Sequence, residues 1–158
     1  MKRSIIAIFI GLIILTGNVF AEGGSFGLGV IVGEPTGISA KKWTGNSNAL
    51  DFAAAWSLDS ETFHFHMDYL VHNFSLIQVD KGRLPLYYGI GGRIRLAEDN
   101  ANDNSNNDDF IGIRIPVGLE YLFADAPLDI FLEIVPILDL VPETDFDFNA
   151  AIGVRYFF

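Results

Sequence analysis

The 158-residue chain contains no cysteine, a single glutamine, only ten lysines and arginines, and no heptad or helical periodicity of any length. The missing cysteine excludes disulfides, thiolate metal sites and the lipidated cysteine of a bacterial lipoprotein. The shortage of basic residues, set against twenty Asp and Glu, excludes nucleic acid as a partner, because phosphate binding needs a cationic surface. No repeat of about 20–50 residues is present, so solenoid and propeller folds are excluded as well. The scarcity of Lys and Gln also removes the residues that normally cover the wet face of a soluble sheet.

What the chain does have begins at the N-terminus. "MKRSIIAIFIGLIILTGNVFA" places Lys2 and Arg3 before an apolar run from Ile5 to Leu15, then a weakly polar stretch with Val19 and Ala21 at small-residue positions. That is the layout of a secretory signal peptide, residues 1–21, cleaved after Ala21. The apolar run is short for a membrane helix, which needs roughly 20 residues. Cleavage leaves residues 22–158 as one domain with eight cations against twenty carboxylates, a net charge of −12.

From residue 26 onward the recurring pattern has period two. Phe26, Leu28, Val30 and Val32 share one face. "EPTG" then turns into a strand from Ile38. Leu50, Phe52, Ala54, Trp56 and Leu58 oppose Asp51, Ala53, Ala55 and Ser57, and Phe63, Phe65, Met67, Tyr69 and Val71 oppose His64, His66, Asp68, Leu70 and His72. Leu84, Leu86, Tyr88, Ile90, Ile94 and Leu96 face away from Gly89, Gly91, Arg93 and Arg95. After the acidic, Asn-rich loop "AEDNANDNSNNDD", one long strand runs from Ile111 to Phe123, followed by strands over "LDIFLEIVPIL" and "DFDFNAAIGVRYFF". That makes eight strands, each with one almost uncharged face.

The alternate faces hold Gly, Ala and isolated charges, which suits the interior of a narrow closed barrel better than a water-facing sheet. Strands of this length cross a bilayer, which takes roughly 9–11 residues. Tyr69, Tyr121, Phe123, Tyr156 and Phe158 stand at apolar-face ends, as an interfacial aromatic girdle requires. The expected fold is all-β, an eight-stranded antiparallel up-and-down transmembrane β-barrel, with outer-membrane lipid as its surroundings. Alternation assigns to its lumen a charge network of Lys41, Asp51, His64, His66, Asp68, Arg93, Arg95, Arg114, Glu120, Asp129, Glu133, Asp147 and Arg155. Five permanent cations against six carboxylates make that lumen nearly neutral, as burial of charge demands. An eight-stranded barrel of this kind is filled by side chains and is not an open pore.

The last strand, with Val154, Tyr156 and a terminal Phe158, resembles the C-terminal signal of bacterial outer-membrane barrels. The chain is similar in size to the small OmpA- and OmpX-type barrels. "GLGVIVGEPTGISAKKW" and "LPLYYGIGGRIRL" resemble the OmpA-like small barrels of spirochaetes. The resemblance implies location in the bacterial outer membrane, insertion by the barrel-assembly machinery, surface exposure, and in some members binding of an extracellular host protein through the loops. The residues themselves point to no cofactor and no catalytic residue.

Two histidine patterns bear on other chemistry. His64 and His66, with Asp68 on the same face, have the i, i+2 spacing of a strand chelate, but more often such side chains join an interior hydrogen-bond network. The lipid A deacylases of small barrels use a His-x-Ser pair with a Glu; here His64-x-His66 replaces it, and Ser75 follows His72 at another spacing. A lipid A-modifying hydrolase is therefore the alternative, and a structural or surface-interaction barrel the expectation. The acidic loop from Glu98 to Asp109 does not match an EF-hand spacing and reads as a solvated connection.

Overall fold

The computed structural model describes residues 24–57, 62–97 and 109–158; the expected signal peptide, residues 1–21, lies outside them, as do the tip of the third connection and nearly all of the acidic loop. Among the described residues there is strand and no helix. The strands are β1 (Phe26–Gly33), β2 (Gly37–Trp43), β3 (Asn48–Ser57), β4 (Thr62–Asn73), β5 (Leu86–Ala97), β6 (Phe110–Arg114), β7 (Val117–Leu122), β8 (Leu128–Val141) and β9 (Asp145–Phe157).

Every neighbouring pair is antiparallel, and the order closes on itself. β1 to β5 pair in succession, β6 and β7 each pair with both β5 and β8, β8 pairs with β9, and β9 returns to β1 from Gly27↔Phe157 to Gly33↔Ala151. The result is an eight-staved ring in which one stave is built from two strands. The single long strand expected from Ile111 to Phe123 is thus interrupted between Arg114 and Val117. Pro116 has no N–H to give to the ladder. Its carbonyl still accepts from Gly89 at 3.0 Å, and Ile115 donates to the carbonyl of Pro136 at 3.0 Å, so the wall stays continuous across the break. β8 also runs on past the expected end at Leu138 to Val141.

Both described chain ends lie at one end of the barrel, with the β2–β3, β4–β5 and β7–β8 connections; this is called the terminal end. The opposite ends of the strands, which the β1–β2, β3–β4, β5–β6 and β8–β9 connections join in sequence, form the distal end. Because side chains alternate along a strand, closure sorts them into two populations. Residues of one parity are buried inside, as in the alternating pattern of β8, while those of the other form an exposed outer wall. That wall is apolar: Ile90 is 60% exposed, Leu132 56%, Val32 56% and Phe148 52%. Burial on this scale, with greasy side chains outside and ions inside, inverts the polarity of a water-soluble fold.

The interior is narrow enough that several inward positions admit only glycine. A Cβ at Gly153 would stand 2.3 Å from the Phe131 ring and 2.7 Å from the Val30 carbonyl oxygen, and one at Gly118 would stand 2.4 Å from the Tyr87 ring. Phe131 and Tyr87 therefore reach across the lumen over glycines on the neighbouring strands, and pack with Ile31, Ala53, Leu70 and Ala151 in a small apolar cluster. Gly153→Val is expected to overfill this cluster and to destabilise the barrel by about 1–3 kcal/mol. The measurement is a urea unfolding titration in detergent micelles, where the midpoint should fall with little change in slope.

Candidate functional site

The inward positions of the ring bring together charged side chains that are far apart in sequence. At the terminal half, Glu120 of β7 accepts Lys41 Nζ of β2 at 2.5 and 2.6 Å and Arg155 Nη2 of β9 at 3.0 Å. His72 of β4 places Nε2 3.1 Å from the same carboxylate and 2.8 Å from Lys41 Nζ. Arg155 also reaches two further carboxylates. Its Nη1 donates to Asp51 of β3, and its Nε donates to Asp129 of β8 at 3.0 and 3.2 Å. The guanidinium lies 4.1 Å from the centre of the Phe131 ring, so its flat face is covered as well. One arginine thereby ties three strands to its own, with every hydrogen bond charge-assisted.

Two smaller groups fill the rest of the lumen. Arg114 Nε of β6 lies 3.1 Å from both oxygens of Asp68, its Nη2 donates to Glu133 at 3.5 Å, and the Tyr87 hydroxyl donates to Glu133 at 3.0 Å. Toward the distal end, Arg93 holds Asp139 in a bidentate pair, with Nε at 2.9 Å, and donates to Asp147 at 2.8 Å. His64 and His66 face each other, Nε2 to Nδ1, at 3.3 Å, and His66 Nε2 stands 3.8 Å from Asp68. Among the described residues His66 Nε2, Arg114 Nη1 and Asn149 Oδ1 have no hydrogen-bond partner.

All thirteen residues expected in the lumen stand at inward positions. Eleven are buried, among them Lys41, His66, Arg114, Glu120 and Asp129 at 0% exposure. The other two lie nearer the distal mouth. Asp147 is partly exposed but holds Arg93, and Arg95, also partly exposed, lies 4.2 Å from the Phe110 ring. The charge balance differs from expectation. Asp139 joins the network because β8 is longer than expected, so five cations face seven carboxylates rather than six. Ser39, His72, Tyr87 and Asn149 are further polar members that sequence reasoning left out of the network. All four share the parity of an inward charge on their own strand, Ser39 with Lys41, His72 with His64, Tyr87 with Arg93 and Asn149 with Arg155, and were within reach of the alternation.

The arrangement says what the lumen can do. All three histidine rings are buried inside the wall, so none reaches the outer surface, where a lipid hydrolase would have to meet an acyl chain. Ser75 bonds Asn73 in the β4–β5 connection, while His72 is held by Lys41, Glu120 and the Ser47 carbonyl. At the terminal mouth a cleft of about 650 Å³ is lined by Trp43, Phe74, Arg83 and Phe157 among others, with none of the buried ion pairs in its walls. Lys41 lies 4.4 Å from the Trp43 ring, and His72 stacks on Phe74 at 6.2 Å, so an aromatic layer separates cleft from ion cluster.

The fold and its interior define a small antiparallel β-barrel with an apolar outer wall and a lumen closed by ion pairs. The chain belongs to a family described as a protein of unknown function, DUF3996, whose model matches residues 21–156. No curated protein matches the sequence. Among solved structures, the N-terminal β-barrel domain of Pseudomonas aeruginosa OprF is similar, with a TM-score of 0.63 and 14% identity over 87% of this chain and 100% of that one. At that identity the likeness is one of fold.

The network predicts its own response to mutation. Glu120→Gln leaves Lys41 and part of Arg155 as buried, uncompensated cations and should cost about 3–5 kcal/mol, whereas the double replacement Glu120→Leu with Lys41→Met should cost much less. Urea unfolding of the two variants and of each single change, arranged as a double-mutant cycle, measures the coupling.

Proposed function

We propose that the chain is an integral outer-membrane β-barrel protein with a plugged lumen, serving a structural or surface-interaction role and not an enzymatic one. The observation that carries this reading is the inverted polarity: a ring of exposed Ile, Leu, Val and Phe outside, with Arg93, Arg114 and Arg155 each paired to buried carboxylates within. Backbone groups in hydrocarbon must all find partners, and a closed barrel is the one sheet arrangement that achieves this. Lipid is the solvent in which such a wall is stable. Residues 1–21 act, on this reading, as the export signal, and Val154, Tyr156 and Phe158 as the segment presented to the assembly machinery.

The distal connections then face outward from the cell. The described ones, residues 34–36 and 142–144, are short and contribute Glu34 and Glu143, and the segment 98–109 adds five carboxylates and no cation. A partner held there, such as a host protein, would meet it through a basic surface, since charge complementarity steers encounter. The resemblance of "GLGVIVGEPTGISAKKW" to spirochaetal small barrels fits this surface role.

The test is gel mobility. Purified residues 22–158, folded in detergent, should migrate differently before and after boiling, give a β-sheet circular dichroism spectrum, and precipitate when detergent is withdrawn. A single band from a freely soluble protein would overturn the membrane assignment. Replacing His64, His66 and His72 together, with lipid A from the producing cells analysed by mass spectrometry, should leave the lipid unchanged. A loss of modified lipid A in that variant would restore the hydrolase reading.

A further inference from the structure

Lys42 is the exception on the outer wall. Among the described residues it is the one charged side chain that the strands present outward, next in sequence to the fully buried Lys41. Its cross-strand neighbours on that face are Phe26 on one side and Leu50 on the other, and the row continues from Leu50 to Tyr69. Among the described residues no carboxylate forms an ion pair with it. A lysine in a lipid-facing row is strongly unfavourable at mid-membrane and tolerated near the boundary. Lys42 is the next-to-last residue of β2, at the terminal end, where its four-carbon stem can lie along the apolar row and its ammonium reach the headgroups. Nζ is already aimed there, donating to the Ser25 hydroxyl at 2.5 Å, and Ser25 is fixed by its carbonyl, which accepts from Trp43 N at 2.8 Å.

The rest of the barrel shows the same polarity from end to end. Of the five tyrosines, Tyr69, Tyr88, Tyr121 and Tyr156 face outward toward the terminal end, and Tyr87 is in the lumen. Every exposed Lys or Arg among the described residues, namely Lys42, Lys81 and Arg83, lies at that end, whereas the described distal turns carry Glu34 and Glu143. The terminal rim also carries exposed Asp80 and Asp125, so what sets it apart is its hydrogen-bonding aromatics together with all three exposed cations, a combination that matches a leaflet of phosphate-bearing anionic headgroups.

We propose that Lys42 and Ser25 form a contact for the phosphate of an anionic phospholipid at the terminal-end boundary of the barrel. This rests on the membrane reading above. A lipid fits where an acidic protein does not, because Lys42 stands in the same row as Phe26, Leu50 and Tyr69, at a depth only a bilayer component reaches.

The experiment inserts residues 22–158 into phosphatidylcholine vesicles and measures, by electron spin resonance, the association of spin-labelled phosphatidylglycerol and phosphatidylcholine with the barrel surface. The wild type should favour phosphatidylglycerol roughly fivefold at low salt, and lose most of that preference in about 1 M salt. Lys42→Met should lose the larger part of the preference and Lys42→Arg should keep it, with both variants showing the heat-dependent gel shift of a folded barrel. Equal association of the two lipids with the wild type, or a preference that survives Lys42→Met, would overturn the Lys42 contact while leaving the barrel standing. Failure of the wild type to insert at all would instead take down the membrane reading on which it depends.

Discussion

The structure depends on the pairing of its first strand with its last. Seven residue pairs, from Gly27↔Phe157 to Gly33↔Ala151, turn a meander of hairpins into a ring. Without them β1 through β9 would still pair with their other neighbours, but β1 and β9 would be two long edges presenting unpaired N–H and C=O groups. Closure removes those edges, and it also fixes an inside. Once an inside exists, strand alternation decides the environment of every residue, and the sequence must obey it along all eight staves at once.

That constraint explains why the interior is made of ions and glycines together. A ring this size has little free space, so large side chains such as Phe131 and Tyr87 enter only where a facing residue has no Cβ, as at Gly153 and Gly118. Charges enter only with partners. Arg155 satisfies the rule most fully, meeting Asp51, Glu120 and Asp129 on three different strands. Arginine suits this role because its planar fork serves several acceptors and cannot be neutralised by losing a proton. Such pairs contribute less to net stability than their geometry suggests, since desolvation offsets most of the attraction. What they do fix is register. A strand shifted by two residues would keep its apolar face outward yet separate Lys41 from Glu120 and Arg155 from Asp129.

Much of this was legible in the sequence, because period-two alternation is local. It gave eight staves, though not the split of one of them into β6 and β7, together with the inward parity of His64, Asp68, Arg93, Glu120 and Arg155 and the inverted polarity that points to lipid. Three things were hidden for physical reasons. The break at Pro116 follows from a missing N–H, but whether the wall tolerates it depends on Gly89 and Pro136 across the gap, which are distant in sequence. Asp139 follows directly on "VPIL", where a proline and a run of apolar residues blur the alternation and suggest that the strand has ended. Above all, who pairs with whom is not local: Lys41 meets Glu120 across 79 residues of chain, and only closure brings β2 opposite β7.

Lys41 and Lys42 show how sharply closure divides the chain. They are chemically identical and adjacent, yet one has 0% exposure with a carboxylate on its ammonium and the other stands outside among Phe26 and Leu50. A slip of one residue in β2 would exchange them, placing Ala40 and Lys42 inside and Lys41 on the wall. Glu120 would still have a lysine on β2 at a shifted height, so the ion cluster alone penalises that slip only weakly. The penalty comes from the neighbours: Ile38 would enter a lumen that has room for Ser39, and Ser39 would move to the greasy wall. Specification of register in this strand therefore lies less with its lysines than with the sizes and polarities of the residues between them, and the lysines occupy the environments that the rest of β2 has already chosen.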